Sequence, residues 1–193
     1  MNLILLGYRG SGKSTVGRIV ADRLALSFVD TDEEIQRRFG NRTIKDIWHR
    51  YGPRAFRDIE AIVVDELTDN TNQVLALGGG TVIEPDARAA IQRAPHAIRF
   101  YLQCDPVELE RRLADDPSRK DRPSYGYPAN FNEHIREHLD EREPIYRMVA
   151  DHEIAVTGRS VEDVATEVVR IVKQGNRQDA KSAKRDEQSR DRS

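Results

Sequence analysis

Residues 7–14 read Gly7-Tyr8-Arg9-Gly10-Ser11-Gly12-Lys13-Ser14, which matches the pattern G-x-x-x-x-G-K-[ST]. An apolar run at residues 3–6 precedes the motif, and an apolar residue recurs at every fourth position after it, at 16, 20 and 24. The motif therefore lies between a predicted strand and a predicted amphipathic helix, which is the context that it requires. This stretch predicts a loop that binds the phosphates of a nucleotide.

The residue types in this loop suit phosphate chemistry. Glycines let the backbone curl so that successive N–H groups face phosphate oxygens, and the following helix adds the positive end of its dipole. Lys13 would bring a charge to the β- and γ-phosphates, and Ser14 would offer a hydroxyl to Mg²⁺. The expected ATP contacts are Gly10, Ser11, Gly12, Lys13, Ser14 and Thr15. The motif alone leaves hydrolysis and transfer open, because ATPases, GTPases and small-molecule kinases share it.

Short apolar runs alternate with helical periodicity along the rest of the chain. The further runs are residues 28–29, 74–77, 98–102 and 153–156. This alternation predicts an α/β domain with a central five-stranded parallel sheet flanked by helices, spanning residues 1–174.

Two segments interrupt that rhythm. Residues 115–132 contain three prolines and a glycine among charges, which predicts a mobile surface loop. Residues 175–193 contain no large apolar side chain, so we expect a disordered polar tail there.

The composition favours one class of partner over others. The 193 residues are 38% hydrophobic and 33% charged with a net charge of -2, which favours small-molecule ligands over nucleic acid or an anionic membrane. No run approaches the roughly 18 apolar residues of a membrane-spanning helix, so we expect a cytoplasmic monomer. Cys104 is the only cysteine, which excludes an internal disulfide.

Two acids follow the second predicted strand, at Asp30 and Asp32. Either acid alone is often the N-cap of a helix. Open α/β sheets gather their ligands at the carboxyl ends of their strands, so a functional interpretation is also available. Asp30 would reach the Mg²⁺ shell, and Asp32 would orient or accept the proton from an attacking hydroxyl.

Arginines and glycines complete the candidate acceptor site. Arg57, Arg122 and Arg142 each have the planar fork that binds a carboxylate or a phosphoryl group, although a single arginine is most often a solvated surface residue. Residues 78–80 are three consecutive glycines directly after a predicted strand. We interpret them as a place of close backbone approach and free N–H groups rather than as a simple turn.

Taken in order, these motifs resemble the shikimate kinases, within the nucleoside-monophosphate-kinase-like group of P-loop folds. The resemblance covers residues 2–173 and includes Glu60 beside Arg57, Pro123 after Arg122, and Pro144 with Tyr146 after Arg142. It implies a three-layer P-loop kinase fold in which the loop at about residues 115–132 is a mobile lid. It also implies the cofactors ATP and Mg²⁺, and transfer of the γ-phosphate of ATP to the 3-hydroxyl of shikimate, in aromatic amino acid biosynthesis.

The resemblance also implies roles for individual residues. It places shikimate on Asp32, Arg57, Gly79, Gly80 and Arg142, with the two arginines on the carboxylate. It places Lys13 and Arg122 on the transferring phosphoryl group, Ser14 and Asp30 on Mg²⁺, Glu60 on Arg57, and Arg112 and Arg159 beside adenine. The chain departs from the family after Arg122-Pro123, where Ser124-Tyr125-Gly126-Tyr127 replaces a stretch that more often carries leucines.

Three alternatives remain at this level. A gluconate kinase or another small-molecule kinase would share the phosphate loop but would need a different acceptor site. A catalytically silent binding module would be expected to lack one of Lys13, Asp32 or Arg122, and all three are present. A switch GTPase would carry an N-K-x-D motif, which the sequence does not contain.

Overall fold

The structure is a computed structural model that describes the backbone of residues 1–116 and 131–190. Side chains are described for residues 1–116 and 135–175. Most of the predicted lid, including Arg122, lies outside the described residues. Its described ends are Asp115 and Asp116 on one side and residues 131–132, within a helix, on the other.

A five-stranded sheet forms the centre of the described chain. Its strands are β1 (Asn2–Leu6), β2 (Ser27–Asp30), β3 (Gln73–Ala76), β4 (Ala97–Gln103) and β5 (His152–Ala155). They pair in the order β2-β3-β1-β4-β5, and every pairing is parallel. The prediction of a five-stranded parallel sheet is confirmed. The central strand, β1, is apolar in four of its five positions because both of its faces are covered.

Seven α-helices surround the sheet in the described part of the chain. They are α1 (Lys13–Leu24), α2 (Thr31–Arg38), α3 (Ile44–Thr68), α4 (Pro85–Arg93), α5 (Pro106–Ala114), α6 (Phe131–Val149) and α7 (Val161–Arg190). A 3₁₀ turn, Thr81–Ile83, follows β3. Helix α3 is kinked at Gly52, where φ is 84° and ψ is 164°, directly before Pro53. None of the described helices is both long and apolar enough to span a bilayer.

The side chains of β1 divide between the two faces of the sheet. Leu3 and Leu5 pack on one face with α1 and α7, whereas Ile4 and Leu6 pack on the other with α3 and α4. Each of these four side chains is at most 1% exposed, and its burial stabilises the fold by about 2 kcal/mol. The alternation of period two thus produces three layers, which confirms the predicted fold class.

The last helix extends beyond the boundary that the sequence suggested. Its backbone is helical to Arg190, whereas the sequence predicted an irregular tail from Gly175 onward. Val168 and Val172 of α7 are fully buried in the core beside α1. The side chains of residues 176–193 lie outside the described set, so the domain boundary at 174 and the disordered tail stay predictions.

Candidate active site

The carboxyl ends of β1, β2 and β3 meet at one edge of the sheet, because parallel strands all end on the same side. The phosphate loop follows β1, Asp30 and Asp32 lie at the end of β2, and the glycine triplet follows β3. A cavity of about 410 Å³ opens between them. Its lining includes these predicted site residues: Gly10, Gly12, Lys13, Ser14, Thr15, Asp30, Asp32 and Gly79.

The phosphate loop has the backbone that its glycines allow. Gly7, Gly10 and Gly12 have φ values of 141°, 83° and 94°, a region that favours glycine. Gly12 precedes α1 and provides no side-chain cap, so the first N–H groups of α1 remain available to an anion. Such an end of a helix suits a phosphate group.

Lys13 is 7% exposed and is held within this loop. Its Nζ donates hydrogen bonds of 2.9 Å to the carbonyl oxygens of both Gly7 and Tyr8. Ser11 is also buried, and its Oγ makes no hydrogen bond to any described residue. The loop therefore presents a positioned ammonium and an unsatisfied hydroxyl, which are groups that phosphate oxygens satisfy.

Ser14 and Asp30 bring a hydroxyl and a carboxylate together beside the loop. The Ser14 hydroxyl donates a 2.5 Å hydrogen bond to Oδ2 of Asp30. The other oxygen, Oδ1, accepts the backbone N–H of Asp32 at 2.9 Å, so Asp30 is also the N-cap of α2. Asp30 therefore caps α2 and also lines the cavity.

The electrostatics of Asp30 suit a cation. Burial and the nearby Asp32 raise the pKa of the Asp30 carboxyl, while the hydrogen bond from Ser14 acts in the opposite direction. In the described part of the chain no group of three or more acids, histidines or cysteines gathers as a metal site. A hydroxyl and one carboxylate fit Mg²⁺, which characteristically takes its remaining ligands from substrate phosphates and water.

The first glycine of the triplet lies where three side chains converge. A methyl group at Gly78 would lie 2.9 Å from each of Oδ1 of Asp32, Oε1 of Glu60 and Oγ1 of Thr81. The backbone N–H of Gly78 donates to Oγ1 of Thr31 at 2.8 Å. The absence of a side chain here lets the carboxylates of Asp32 and Glu60 share one corner of the site.

Arg57 is oriented by the buried carboxylate of Glu60. Nη1 of Arg57 donates a 2.6 Å hydrogen bond to Oε2 of Glu60, and Thr81 donates to Oε1 at 2.6 Å. Burial raises the pKa of Glu60, and the charge of Arg57 opposes that shift. The Arg57 guanidinium also lies 5.5 Å from the ring centroid of Trp48. Contacts with Glu60 and Trp48 thus restrict the orientation of the Arg57 guanidinium.

The other two glycines of the triplet also make room for close contacts. A methyl group at Gly79 would lie 2.8 Å from the backbone N of Arg9, and one at Gly80 would lie 2.9 Å from Nη2 of Arg57. None of the three glycines has a left-handed φ. The triplet therefore serves close approach and not a turn that only glycine can make.

Arg142 approaches the same region from α6. Its guanidinium carbon lies 5.6 Å from the ring centroid of Tyr8 in the phosphate loop. Burial raises the pKa of the Tyr146 hydroxyl, one helical turn further along α6, and the charge of Arg142 opposes that shift. That hydroxyl donates a 2.5 Å hydrogen bond to the carbonyl of Gly79. Helix α6 thus reaches both the phosphate loop and the glycine triplet.

Comparison with known proteins decides the family. The family model described as shikimate kinase matches residues 9–173. The chain belongs to the shikimate kinase family. The shikimate kinase of Paracidovorax citrulli is 40% identical over 152 residues, which cover 78% of this chain and 79% of that protein. That of Caldanaerobacter subterraneus subsp. tengcongensis is 35% identical over 169 residues, 88% of this chain and 94% of its relative.

A solved member of the shikimate kinase family has the same fold. The structure of shikimate kinase from Acinetobacter baumannii in complex with shikimate is 32% identical, with a TM-score of 0.82 over 90% of this chain and 93% of that one. The resemblance that the sequence motifs carried is confirmed, and the chain is a phosphotransferase that acts on an alcohol group.

The two arginines that the shikimate kinase resemblance placed beside adenine have different surroundings. Arg112 lines the cavity, where Nη1 donates to the carbonyl of Gly10 and Nη2 to that of Val156, both at 3.4 Å. Arg159 donates instead to Glu167 at 2.6 Å and to the carbonyl of Ala155 at 3.1 Å. Arg112 therefore borders the phosphate loop, whereas these hydrogen bonds of Arg159 are made to β5 and α7.

The sequence alone assigned no role to several residues around the site. Thr31, Thr81 and Tyr146 all hold the glycine triplet or its neighbours, and Arg9 forms an ion pair of 3.5 Å with Asp116 at the cavity wall. Thr31 had one local signal, its position between two acids. The partners of the others are distant in sequence, so no spacing rule identifies them.

Proposed function

We propose that this shikimate kinase family member transfers the γ-phosphate of ATP to the 3-hydroxyl of shikimate, with Mg²⁺ bound at Ser14 and Asp30. The observation that carries the proposal is the cavity at the strand ends, which Lys13 and Asp32 both line. One wall offers a cation to phosphate, and the adjoining wall offers a carboxylate to a hydroxyl. We further propose a cytoplasmic monomer, and the net charge of -2 supports small-molecule ligands.

The phosphate half of the proposal assigns ATP to the loop. The N–H groups from Gly10 to Thr15 would bind the β- and γ-phosphates, and the Lys13 ammonium would leave the carbonyls of Gly7 and Tyr8 to reach them. When bound between Ser14 and Asp30, Mg²⁺ would neutralise charge on the phosphates. Ser14 and Asp30 would hold it by hydroxyl and carboxylate oxygens.

The acceptor half assigns the carboxylate of shikimate to Arg57 and Arg142. Glu60 holds Arg57 in one orientation, and Arg142 approaches from the opposite helix, so two guanidiniums would bind one carboxylate. The N–H groups of Gly79 and Gly80 would approach the same end of the ligand. This orientation would bring a ring hydroxyl toward Asp32.

The chemical step needs little covalent participation by the protein. Asp32 would accept the hydroxyl proton as the new oxygen–phosphorus bond forms and the bond to the bridging oxygen of ADP breaks. Lys13 would stabilise the negative charge on the transferring phosphoryl group. Arg122, in the predicted lid outside the described residues, is proposed to add a second positive charge and to help exclude water.

The first experiment is an ADP-release assay with MgATP and four conditions: shikimate, gluconate, nucleoside monophosphates, or no acceptor. We expect rapid release with shikimate only. Release with gluconate instead would leave the fold assignment unchanged and show that shikimate is not the acceptor. Release that does not depend on an acceptor would indicate an ATPase. ATP binding without release in any condition would indicate a silent module.

Two variants then test the roles of individual residues. Asp32→Asn is expected to lower kcat by about 10²–10⁴ with shikimate still bound, because it removes the proton acceptor alone. Arg122→Ala is expected to lower kcat with ATP binding retained. Unimpaired transfer by either variant would remove that residue from the proposed mechanism.

A further inference from the structure

The hydroxyl of Tyr146 reaches the glycine triplet of the proposed carboxylate site. It donates a 2.5 Å hydrogen bond to the carbonyl of Gly79. Tyr146 lies four residues after Arg142, one helical turn further along α6. Tyr146 therefore ties the turn of α6 that carries Arg142 to the backbone of the glycine triplet.

The ring that carries this hydroxyl is held rigidly. Tyr146 is 1% exposed and stacks on Tyr101, with ring centroids 5.1 Å apart and an interplanar angle of 29°. The Tyr101 hydroxyl in turn donates to Glu143 at 2.9 Å. Burial raises the pKa of Tyr146 above its ordinary value, so its hydroxyl remains a donor near neutral pH.

Arg142 itself has a contact with the phosphate loop. Its guanidinium lies over the ring of Tyr8, and the carbonyl of Tyr8 accepts a hydrogen bond from Lys13. Long arginine side chains lose considerable rotamer freedom when they bind a ligand, so contacts that restrict the side chain beforehand favour binding. The ring of Tyr8 provides such restriction.

We infer that Tyr146 is a positioning residue for the acceptor, because its hydroxyl ties the Gly79 backbone to the turn of α6 that carries Arg142. The inference rests on the proposed function, in which these groups bind the carboxylate of shikimate. Tyr146 would act at the carboxylate end of the ligand and not on the reacting hydroxyl. Its effect should therefore be on acceptor binding.

The test is Tyr146→Phe with Tyr101→Phe as its matched control. Each change removes one buried hydroxyl from the same pair of stacked rings, but only the Tyr146 hydroxyl contacts the site. We expect Tyr146→Phe to raise the KM for shikimate about tenfold, with kcat and the KM for ATP nearly unchanged. Tyr101→Phe should leave all three parameters near those of the unmutated enzyme while lowering the melting temperature comparably.

Several outcomes would overturn the inference. An unchanged KM for shikimate in Tyr146→Phe, an equal rise in Tyr101→Phe, or an equal rise in the KM for ATP would each assign Tyr146 a purely structural role. In an Arg142→Gln background, Tyr146→Phe should add little further loss, and a fully additive loss would also contradict the inference. If the unmutated enzyme did not phosphorylate shikimate, the proposed function itself would fail.

A measurement on the unmutated protein covers the case in which Tyr146→Phe does not fold. With ¹³Cζ-labelled tyrosine, the NMR signal of Tyr146 should shift when shikimate is added, and that of Tyr101 should not. The Tyr101 signal is assigned by its loss in Tyr101→Phe, and the Tyr146 signal by elimination with single changes of the other tyrosines. A Tyr146 signal that does not respond to saturating shikimate would overturn the inference.

Discussion

Nη1 of Arg57 lies 2.6 Å from Oε2 of Glu60, whose side chain is almost fully enclosed. The other carboxylate oxygen accepts the hydroxyl of Thr81, so both oxygens of Glu60 have partners. Breaking a buried ion pair on one side is costly because the remaining charge has no compensation. Glu60 therefore restrains the arginine that we assign to the carboxylate of shikimate.

Glu60→Gln should weaken acceptor binding selectively. The amide keeps the shape of the side chain but removes the negative charge that orients Arg57, so we expect the KM for shikimate to rise about tenfold. The KM for ATP should change little. Steady-state kinetics check this expectation, with Glu66→Gln as the control, because Glu66 pairs with Arg38 on the exposed side of α3. An equal effect in both variants would contradict the assigned role of Glu60.

Substitution by alanine should have different effects at two neighbouring glycines, Gly79 and Gly80. At Gly80 the new methyl group meets the terminal guanidinium of Arg57, which can move away by disturbing its contact with Glu60, so Gly80→Ala should fold and raise mainly the KM for shikimate. At Gly79 it meets the backbone of Arg9, so Gly79→Ala should also lower the melting temperature and raise the KM for ATP.

The control for both glycine variants is Gly175→Ala, because nothing lies within 4 Å of the added methyl group in α7. It should leave both KM values unchanged. Identical kinetics and melting temperatures for Gly79→Ala and Gly80→Ala would show that the two close contacts do not distinguish the substrates.

Asp30→Asn should separate metal binding from folding. Asparagine is an equally good N-cap, so α2 should remain intact. Because burial raises the pKa of Asp30, its ionised form disfavours folding, and this cost sets in as the pH rises through the folded pKa. At neutral pH without Mg²⁺ the variant should thus melt at the same temperature or higher. The half-saturating Mg²⁺ concentration should rise about tenfold.

Magnesium titrations of activity and melting curves without metal check the Asp30 variant. Asp22→Asn, an exposed acid on α1, is the control. An unchanged magnesium requirement in Asp30→Asn would remove Asp30 from the proposed metal site.

Glu34 should contribute to the acid sensitivity of the fold. Hydrogen bonds from Arg37 and then Arg38 lower the pKa of Glu34 from 4.5 to about 2. Its stabilisation is therefore present above pH 4.5 and is lost as the pH falls toward 2. Because Arg37 is largely exposed, the contribution is about 1 kcal/mol or less.

The measurement for Glu34 is urea denaturation between pH 7 and pH 3. Glu34→Gln should be slightly less stable than the unmutated protein at pH 7, and the difference should shrink as the pH falls. Glu141→Gln, on the exposed surface of α6, is the control. A difference that grows toward acid would contradict the sign of the pKa shift.

The sequence predicted the fold well, and several residues that it singled out for phosphate binding line one cavity, because both depend on local patterns. Five apolar runs that alternate with helical periodicity predict five parallel strands, and the spacing of residues 7–14 predicts a phosphate loop. Asp30 and Asp32 could also be singled out from the sequence, since Asp30 ends β2 and Asp32 lies two residues later. The residues of the acceptor half were predicted mainly from the family resemblance, because they come from separate helices and loops.

The sequence by itself determined the order of the strands and helices along the chain. It also determined where the phosphate-loop motif and the charged residues fall within that order. Tertiary structure alone decided why residues 78–80 must be small, since Asp32, Arg9 and Arg57 approach them from three different elements. It also decided that the Tyr146 hydroxyl reaches Gly79 across 67 residues of sequence. Periodicity and motifs report what neighbouring residues do, whereas these contacts depend on how distant elements pack against one sheet.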